Sequence, residues 1–315
     1  MDTLVVQKPT VAPILFLGNE RAAMRFWEFF TANIPNPNTR RAYFGAANRF
    51  SEWCLRNGAV EIVSVQPIHV AAWVQELGRS HSRPTVKQHL AAIRMLFDWL
   101  IVGQVLPYNP AASVRGPKHS VRRGKTPVLS TEEMRDLLDS IQTDTLLGLR
   151  DRALIGLMAY TFARVGAAAA MRVEDYYVQG RRGWIRLQEK GGKVNEMPAH
   201  HRLEEFLDAY IESSAIADDA EGPLFRSWRN GLLIRRTLSQ SNIHHMVRRR
   251  AGKAGIQTRI GCHSFRATGI TNYLKNGGRL EVAQQMAGHE SSRTTGLYDR
   301  RGDEISLDEV ERISY

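Results

Sequence analysis

Between Gly261 and Arg300 the sequence reads GCHSFRATGITNYLKNGGRLEVAQQMAGHESSRTTGLYDR, and this stretch carries His263, Arg266, His289 and Tyr298. On a helix His263 and Arg266 share a face, because residues three apart are surface neighbours. A weakly basic imidazole beside a permanent cation suits an anionic substrate. With a phenol close by, the set suits phosphoryl transfer to tyrosine, which needs charge stabilisation, an acid or base, and a nucleophile. Taken singly, each residue has a plainer explanation: a lone histidine is more often structural than catalytic, and a lone tyrosine usually packs.

Two further places carry unbalanced charge. Arg164 stands in TFARVGAAAAMRVEDYY at a helix junction among alanines, with nothing nearby in sequence to neutralise it. Capping helix C-terminal carbonyls is its ordinary use. Lys190 and Lys193 flank Gly191 and Gly192, a glycine pair suited to a tight hairpin turn between the strands expected at 184–190 and 193–198.

The partner expected for such a set is a polyanion. In 315 residues there are 43 Lys and Arg against 32 Asp and Glu, a net charge of +11. The two cysteines, Cys54 and Cys262, lie far apart and form no CxxC motif, so neither a disulfide framework nor a zinc site is expected, and a reducing cytosol fits. The apolar run from Val11 to Leu17 is too short to span a bilayer and follows no basic flank. No membrane or targeting segment is expected.

The elements that must position these groups fall into two halves. Residues 1–18 read as an irregular arm with Pro9 and Pro13. Residues 19–105 read as four helices: one capped by Asn19 and holding Met24, Phe26, Trp27 and Phe30; one from about Asn38 with Tyr43, Ala46, Phe50, Trp53 and Cys54; one after Pro67; and one after Pro84 with Leu90, Ile93, Phe97 and Leu100. These stripes are core. The polar faces carry Arg40, Arg41, Arg79, Arg83, Lys87 and Arg94, donors that could grip phosphates around helix ends.

Residues 106–127 break into prolines, glycines and basic residues, Arg122 and Arg123 among them, and read as a basic linker lying along nucleic acid. The second domain, 128–302, opens on Ser130 and Glu133 in capping-box spacing and mixes helices with strands from Val173 to Pro198. Residues 303–315 read as a tail helix with Leu307, Val310 and Ile313 as its apolar stripe.

The order Arg164, Lys190, His263, Arg266, His289, Tyr298 resembles that of the tyrosine recombinase or phage integrase family, in its Xer-like form. The fragments that carry it are FARVG, the EKGGK hairpin, HSFRAT, MAGH and TTGLY. Each is weak alone, and five in order are specific. The resemblance implies a mainly α fold with a small antiparallel β-sheet. It implies a four-helix SAM-like core-binding domain and an α+β catalytic domain that clamp duplex DNA in a C shape. It further implies a site-specific recombinase of prokaryotic, cytoplasmic, nucleoid-associated type that cuts and rejoins DNA through a 3′-phosphotyrosine and a Holliday junction. Tetramers would form on DNA, with the tail docking into a neighbouring subunit.

In that reading Arg164 and Arg266 hold the scissile phosphate, His289 donates to it, and His263 assists proton removal from Tyr298, with the dominant histidine left open. Lys190 is favoured as general acid; Lys193 is its rival, assigned to backbone phosphate. The sequence departs from the family at Ala167, where an acidic residue often follows the first arginine by three. Glu174 or Asp175 is the expected substitute. Two other readings stay open: a type IB topoisomerase, and a non-catalytic DNA-binding regulator prompted by Ala167.

Overall fold

The computed structural model describes residues 12–120, 124–189 and 192–299, with positions 311 and 313. The described chain divides into two compact units, Met1–Ser120 and Val121–Tyr315.

In the first unit, α1 (Ile14–Leu17) is a single helical turn where an irregular arm was expected, because Leu15 and Phe16 are buried in the core. The Asn19 side chain accepts from Ala22 N at 3.1 Å and starts α2 (Glu20–Glu28), a cap that stabilises by about 1 kcal/mol. A π-helical turn, Phe29–Asn33, continues it and swings Phe29 and Phe30 inward with Phe26, while Met24, expected inside, is exposed. Asn36 then caps α3 (Pro37–Arg56) from its first residue, since proline needs no donor there.

Helices α4 (Pro67–Ser80) and α5 (Arg83–Val102) complete the four-helix unit. Phe50 makes edge contacts with Trp73 and Phe97 at its centre. The stretch expected to begin a linker is partly core. Leu106, Ala111 and Val114 are buried, and Arg94 donates to the Ala111 and Val114 carbonyls.

The second unit starts with α6 (Thr131–Asp139), where Ser130 and Glu133 satisfy each other's backbone N–H at 3.1 and 3.0 Å. The buried α7 (Leu146–Tyr160) packs against α9 (His201–Ser214) and α11 (Cys262–Lys275). Between them come α8 (Val165–Ala170), a 3₁₀ turn at Val173–Asp175 where strand was expected, and strands β1 (Tyr176–Gln179), β2 (Arg182–Gln188) and β3 (Val194–Pro198). The strands form an antiparallel sheet in the order β1-β2-β3, with Ile185 opposite both Tyr176 and Met197.

A second, two-stranded sheet was not anticipated: β4 (Arg226–Arg229) and β5 (Leu232–Thr237). Its turn is Asn230-Gly231, with φ of 50° and 83°, the positive pair that Asn-Gly favours in two-residue hairpins. Helix α10 (Gln240–Lys253) is tied to α7 through fully buried Asp151, which accepts from Arg150, Arg249 and Arg250. Helices α12 (Leu280–Met286) and α13 (Ser292–Gly296) follow α11. A small core of Phe162, Ala267, Ile270, Leu274, Ala283, Ala287 and Tyr298 joins them.

Candidate active site

Helix α11 crosses the end of α7 closely enough that Gly269 has no room for a side chain. A Cβ there would meet the Ala159 carbonyl and come within 2.6 Å of the Phe162 ring. That approach buries Arg266, only 1% exposed, against the chain leaving α7. Its Nη1 donates to the Phe162 carbonyl at 2.6 Å and its Nη2 to the Ala287 carbonyl, which leaves Nε buried without a partner. Burial, and then Arg164, push its pKa down to about 10, so it stays cationic at neutral pH.

Arg164 is the N-cap residue of α8, where extended backbone turns its side chain towards the same place. It does not cap carbonyls. Its Nη1 pairs with the carboxylate of Glu189, whose side chain is 3% exposed, while that of Arg164 remains 37% exposed. Glu189 is thus the neutralising group that the sequence near Arg164 lacks. The candidates named from sequence are engaged elsewhere: Glu174 with Arg172, and Asp175 with the Arg172 backbone N–H at 2.9 Å. Ala167 is buried in α8.

Tyr298 is 7% exposed and follows α13. Its hydroxyl lies 2.8 Å from His263 Nε2, and its ring lies parallel to the His289 imidazole at a centroid distance of 6.0 Å. Thr271 Oγ1 donates to its carbonyl at 3.1 Å, and Gly124 N donates to that of Leu297 at 2.9 Å, fixing the turn that presents it. Burial raises the phenol's pKa, with Arg266 and Arg164 opposing. His263 is lowered by burial and by the two arginines, so the imidazole facing the phenol is neutral and can accept its proton.

His289 is lowered further, to about 4, by burial and then by Arg266, Arg164 and His263. Its Nδ1 lies 2.8 Å from Thr295 Oγ1. When that hydroxyl donates to Nδ1, the neutral ring carries its proton on Nε2 as a donor.

The structure therefore brings together Arg164, His263, Arg266, His289 and Tyr298. Lys190, Arg122 and Arg123 lie outside the described residues, as does the tail helix expected at 303–315 apart from Glu311 and Ile313. Lys193 is exposed and pairs with Glu290 at 3.1 Å, beside the His289 turn. Of the phosphate donors expected on the helical unit, Arg41, Arg79, Arg83 and Lys87 are exposed. Arg40 and Arg94 instead donate to main-chain carbonyls, Arg40 to Ile34 at 3.0 and 2.8 Å, and so act within the fold. Glu189 and Thr295 join the site without having been expected from sequence, although one sits inside EKGGK and the other inside TTGLY.

Residues 127–304 match the Phage integrase family, and residues 25–103 match the Phage integrase, N-terminal SAM-like domain. The chain belongs to the phage integrase family. As a tyrosine recombinase, it is a DNA strand-transferring enzyme of site-specific recombination. Among phage integrase relatives, it is 27% identical to the tyrosine recombinase XerC of Mycobacterium sp. (strain KMS) over 269 residues, covering 83% of this chain and 87% of that one. It is also 27% identical to the tyrosine recombinase XerD of Chlorobaculum tepidum, covering 83% and 85%.

The phage integrase fold is shared with a lambda integrase dimer bound to a COC′ core site, at a TM-score of 0.68 and 20% identity over 90% of this chain and 77% of that one. It is shared as well with the XerH recombinase bound to its difH substrate in a pre-cleavage complex, at a TM-score of 0.65 and 19% identity over 87% and 78%.

Proposed function

We propose that Tyr298 is the nucleophile that attacks the scissile phosphate of duplex DNA, expelling the 5′ hydroxyl and leaving a 3′-phosphotyrosine. The observation that carries this is the 2.8 Å pair of Tyr298 Oη and His263 Nε2, set beside two arginines in an otherwise buried corner. His263 takes the phenol proton as the phosphorus–oxygen bond forms. Arg164 and Arg266 bind the non-bridging oxygens, and their permanent charge counters the negative charge that builds in the transition state. His289 donates from Nε2 to the same phosphate.

Lys190 protonates the leaving 5′ oxygen, and Lys193 contacts backbone phosphate. The core-binding domain takes in 14–17 and 106–114 as well as 19–105, because Leu15, Phe16, Leu106, Ala111 and Val114 belong to its core, and 128–302 is the catalytic domain. Arg41, Arg79, Arg83 and Lys87, with Arg122 and Arg123, supply phosphate contacts. The related lambda integrase has been solved as a tetramer bound to a Holliday junction. By analogy, this chain assembles as a tetramer on two duplexes, held by its C-terminal tail docking into the neighbour, in the bacterial cytoplasm on the nucleoid. The chemistry needs no metal or nucleotide, because the phosphotyrosine conserves the bond energy for rejoining. Glu189 supplies Arg164 with the carboxylate partner whose absence at Ala167 prompts the regulator reading.

The test is strand exchange. Two duplexes carrying the sequence that the protein selects from a randomised DNA library should yield recombinants and four-way junctions. Relaxation of any supercoiled plasmid without exchange would favour a topoisomerase, and tight binding without cleavage a regulator.

A further inference from the structure

The acid that serves Arg164 comes from a different element than its helix. Glu189 follows β2, its backbone N–H donates to the Lys193 carbonyl at 2.7 Å, and its side chain is almost wholly buried. The carboxylate meets Arg164 Nη1, and a Cβ on Gly288 would lie 3.6 Å from Glu189 Cγ and 4.0 Å from Arg164 Nη1. The same charge also acts favourably on Arg266. One buried carboxylate therefore stands against two guanidiniums that repel each other, beside the turn that carries His289.

From this geometry we infer that Glu189 is a positioning residue. It fixes the fork of Arg164 from behind, so that the remaining donors face the phosphate, and it offsets the repulsion between Arg164 and Arg266 before DNA arrives. This rests on the reading of Arg164 as a phosphate ligand. A guanidinium without that partner would rotate freely, because more than a third of its side chain is in solvent. A misplacement of about 1 Å in such a group costs up to about 100-fold in rate.

The burial of Glu189 argues against a phosphate stand-in, which would face the open side of the site. Helix geometry gives a way to move the acid. Arg164 is the N-cap and Ala167 the third residue of α8, so a carboxylate at 167 lies one turn on and on the same face.

The experiment uses the full chain and a nicked suicide half-site built from its selected DNA sequence, and measures single-turnover formation of the covalent adduct. Wild type must form adduct and Tyr298→Phe must not; failure there would overturn the recombinase assignment itself. Given that control, Glu189→Gln is expected to lower the cleavage rate about 10- to 100-fold, with half-site affinity within about twofold and an unchanged CD spectrum. Glu189→Gln combined with Ala167→Glu is expected to recover at least about tenfold of that loss.

Cleavage by Glu189→Gln at the wild-type rate, or faster with tighter DNA binding, would overturn the inference. So would a defect that vanishes on a 5′-bridging phosphorothiolate substrate. That leaving group needs no proton, and its rescue would place the effect at the leaving oxygen and not at Arg164. Should the relocated acid prevent folding, Glu189→Asp, which keeps the charge, is expected to retain more activity than Glu189→Gln. Equal activity of the two would count against a role for the charge.

Discussion

The hydroxyl of Tyr298 and Nε2 of His263 lie 2.8 Å apart within one chain, with the phenol pushed above its ordinary pKa and the imidazole below. At neutral pH the proton therefore sits on the phenol and the acceptor is empty. The pair is set for transfer in that direction once phosphorus is in reach.

The pH profile of cleavage follows from this. His263 works while neutral, and its pKa lies below the usual 6.5, so the rate should hold constant from pH 8 down through 6.5 and fall only below that. His263→Ala should lose about 100- to 10,000-fold and abolish the acidic limb. An unaltered acidic limb in that variant would assign it to another group.

Because Tyr298 is seated on its own chain's histidine, each chain should supply its own nucleophile. Mixing Arg164→Ala with Tyr298→Phe should give no covalent adduct on a suicide half-site. Adduct on the Arg164→Ala subunits in the mixture would show that the tyrosine is delivered to a partner's site.

The lowered histidines also link stability to pH. Between about 4 and 6.5 the unfolded chain binds a proton at His289 that the folded chain refuses. Stability is therefore complete above 6.5 and lost as pH falls through that window. The melting temperature without DNA should drop over this range, and less steeply in His289→Asn. Identical slopes would remove His289 as the cause.

The helical unit's arginines should separate by their partners. Arg83→Ala and Lys87→Ala are each expected to reduce the salt dependence of DNA binding by about one counterion. Arg94→Ala should leave that slope alone and cost about 1 to 3 kcal/mol of stability, since it strands the carbonyls of Ala111 and Val114. A large change in salt slope for Arg94→Ala would restore it as a DNA contact.

Gly269 is where packing sets the site. Gly269→Ala should destabilise by about 1 to 3 kcal/mol and slow cleavage, because α11 must move away from Ala159 and Phe162 and takes Arg266 with it. Wild-type stability and rate in this variant would show that the crossing relaxes without consequence.

Much of this arrangement could be read from the chain. His263 and Arg266 share a helical face because their spacing requires it, and Asn19 and Ser130 cap where their side chains dictate. Six residues from 164 to 298 stand out by their order, and the structure gathers five of them, Arg164, His263, Arg266, His289 and Tyr298, in one place, with Lys190 outside the described residues. What escaped depended on distance in sequence. Glu189 meets Arg164 across 25 residues, and nothing near Ala167 signals that a strand end will supply the acid. Arg40 and Arg94 read as phosphate donors because an exposed arginine and one bonded to a main-chain carbonyl look alike in sequence. The β4–β5 hairpin does carry a local signal, Asn230-Gly231, but its strands are only four and six residues long and lie between helices.

The most direct measurement is to digest the protein–DNA adduct trapped on a suicide half-site and sequence the nucleotide-bearing peptide by mass spectrometry. The account predicts a single peptide containing Tyr298 joined to the 3′ phosphate of the cleaved strand, and none in Tyr298→Phe. Attachment at another residue, or through a 5′ phosphate, would contradict it.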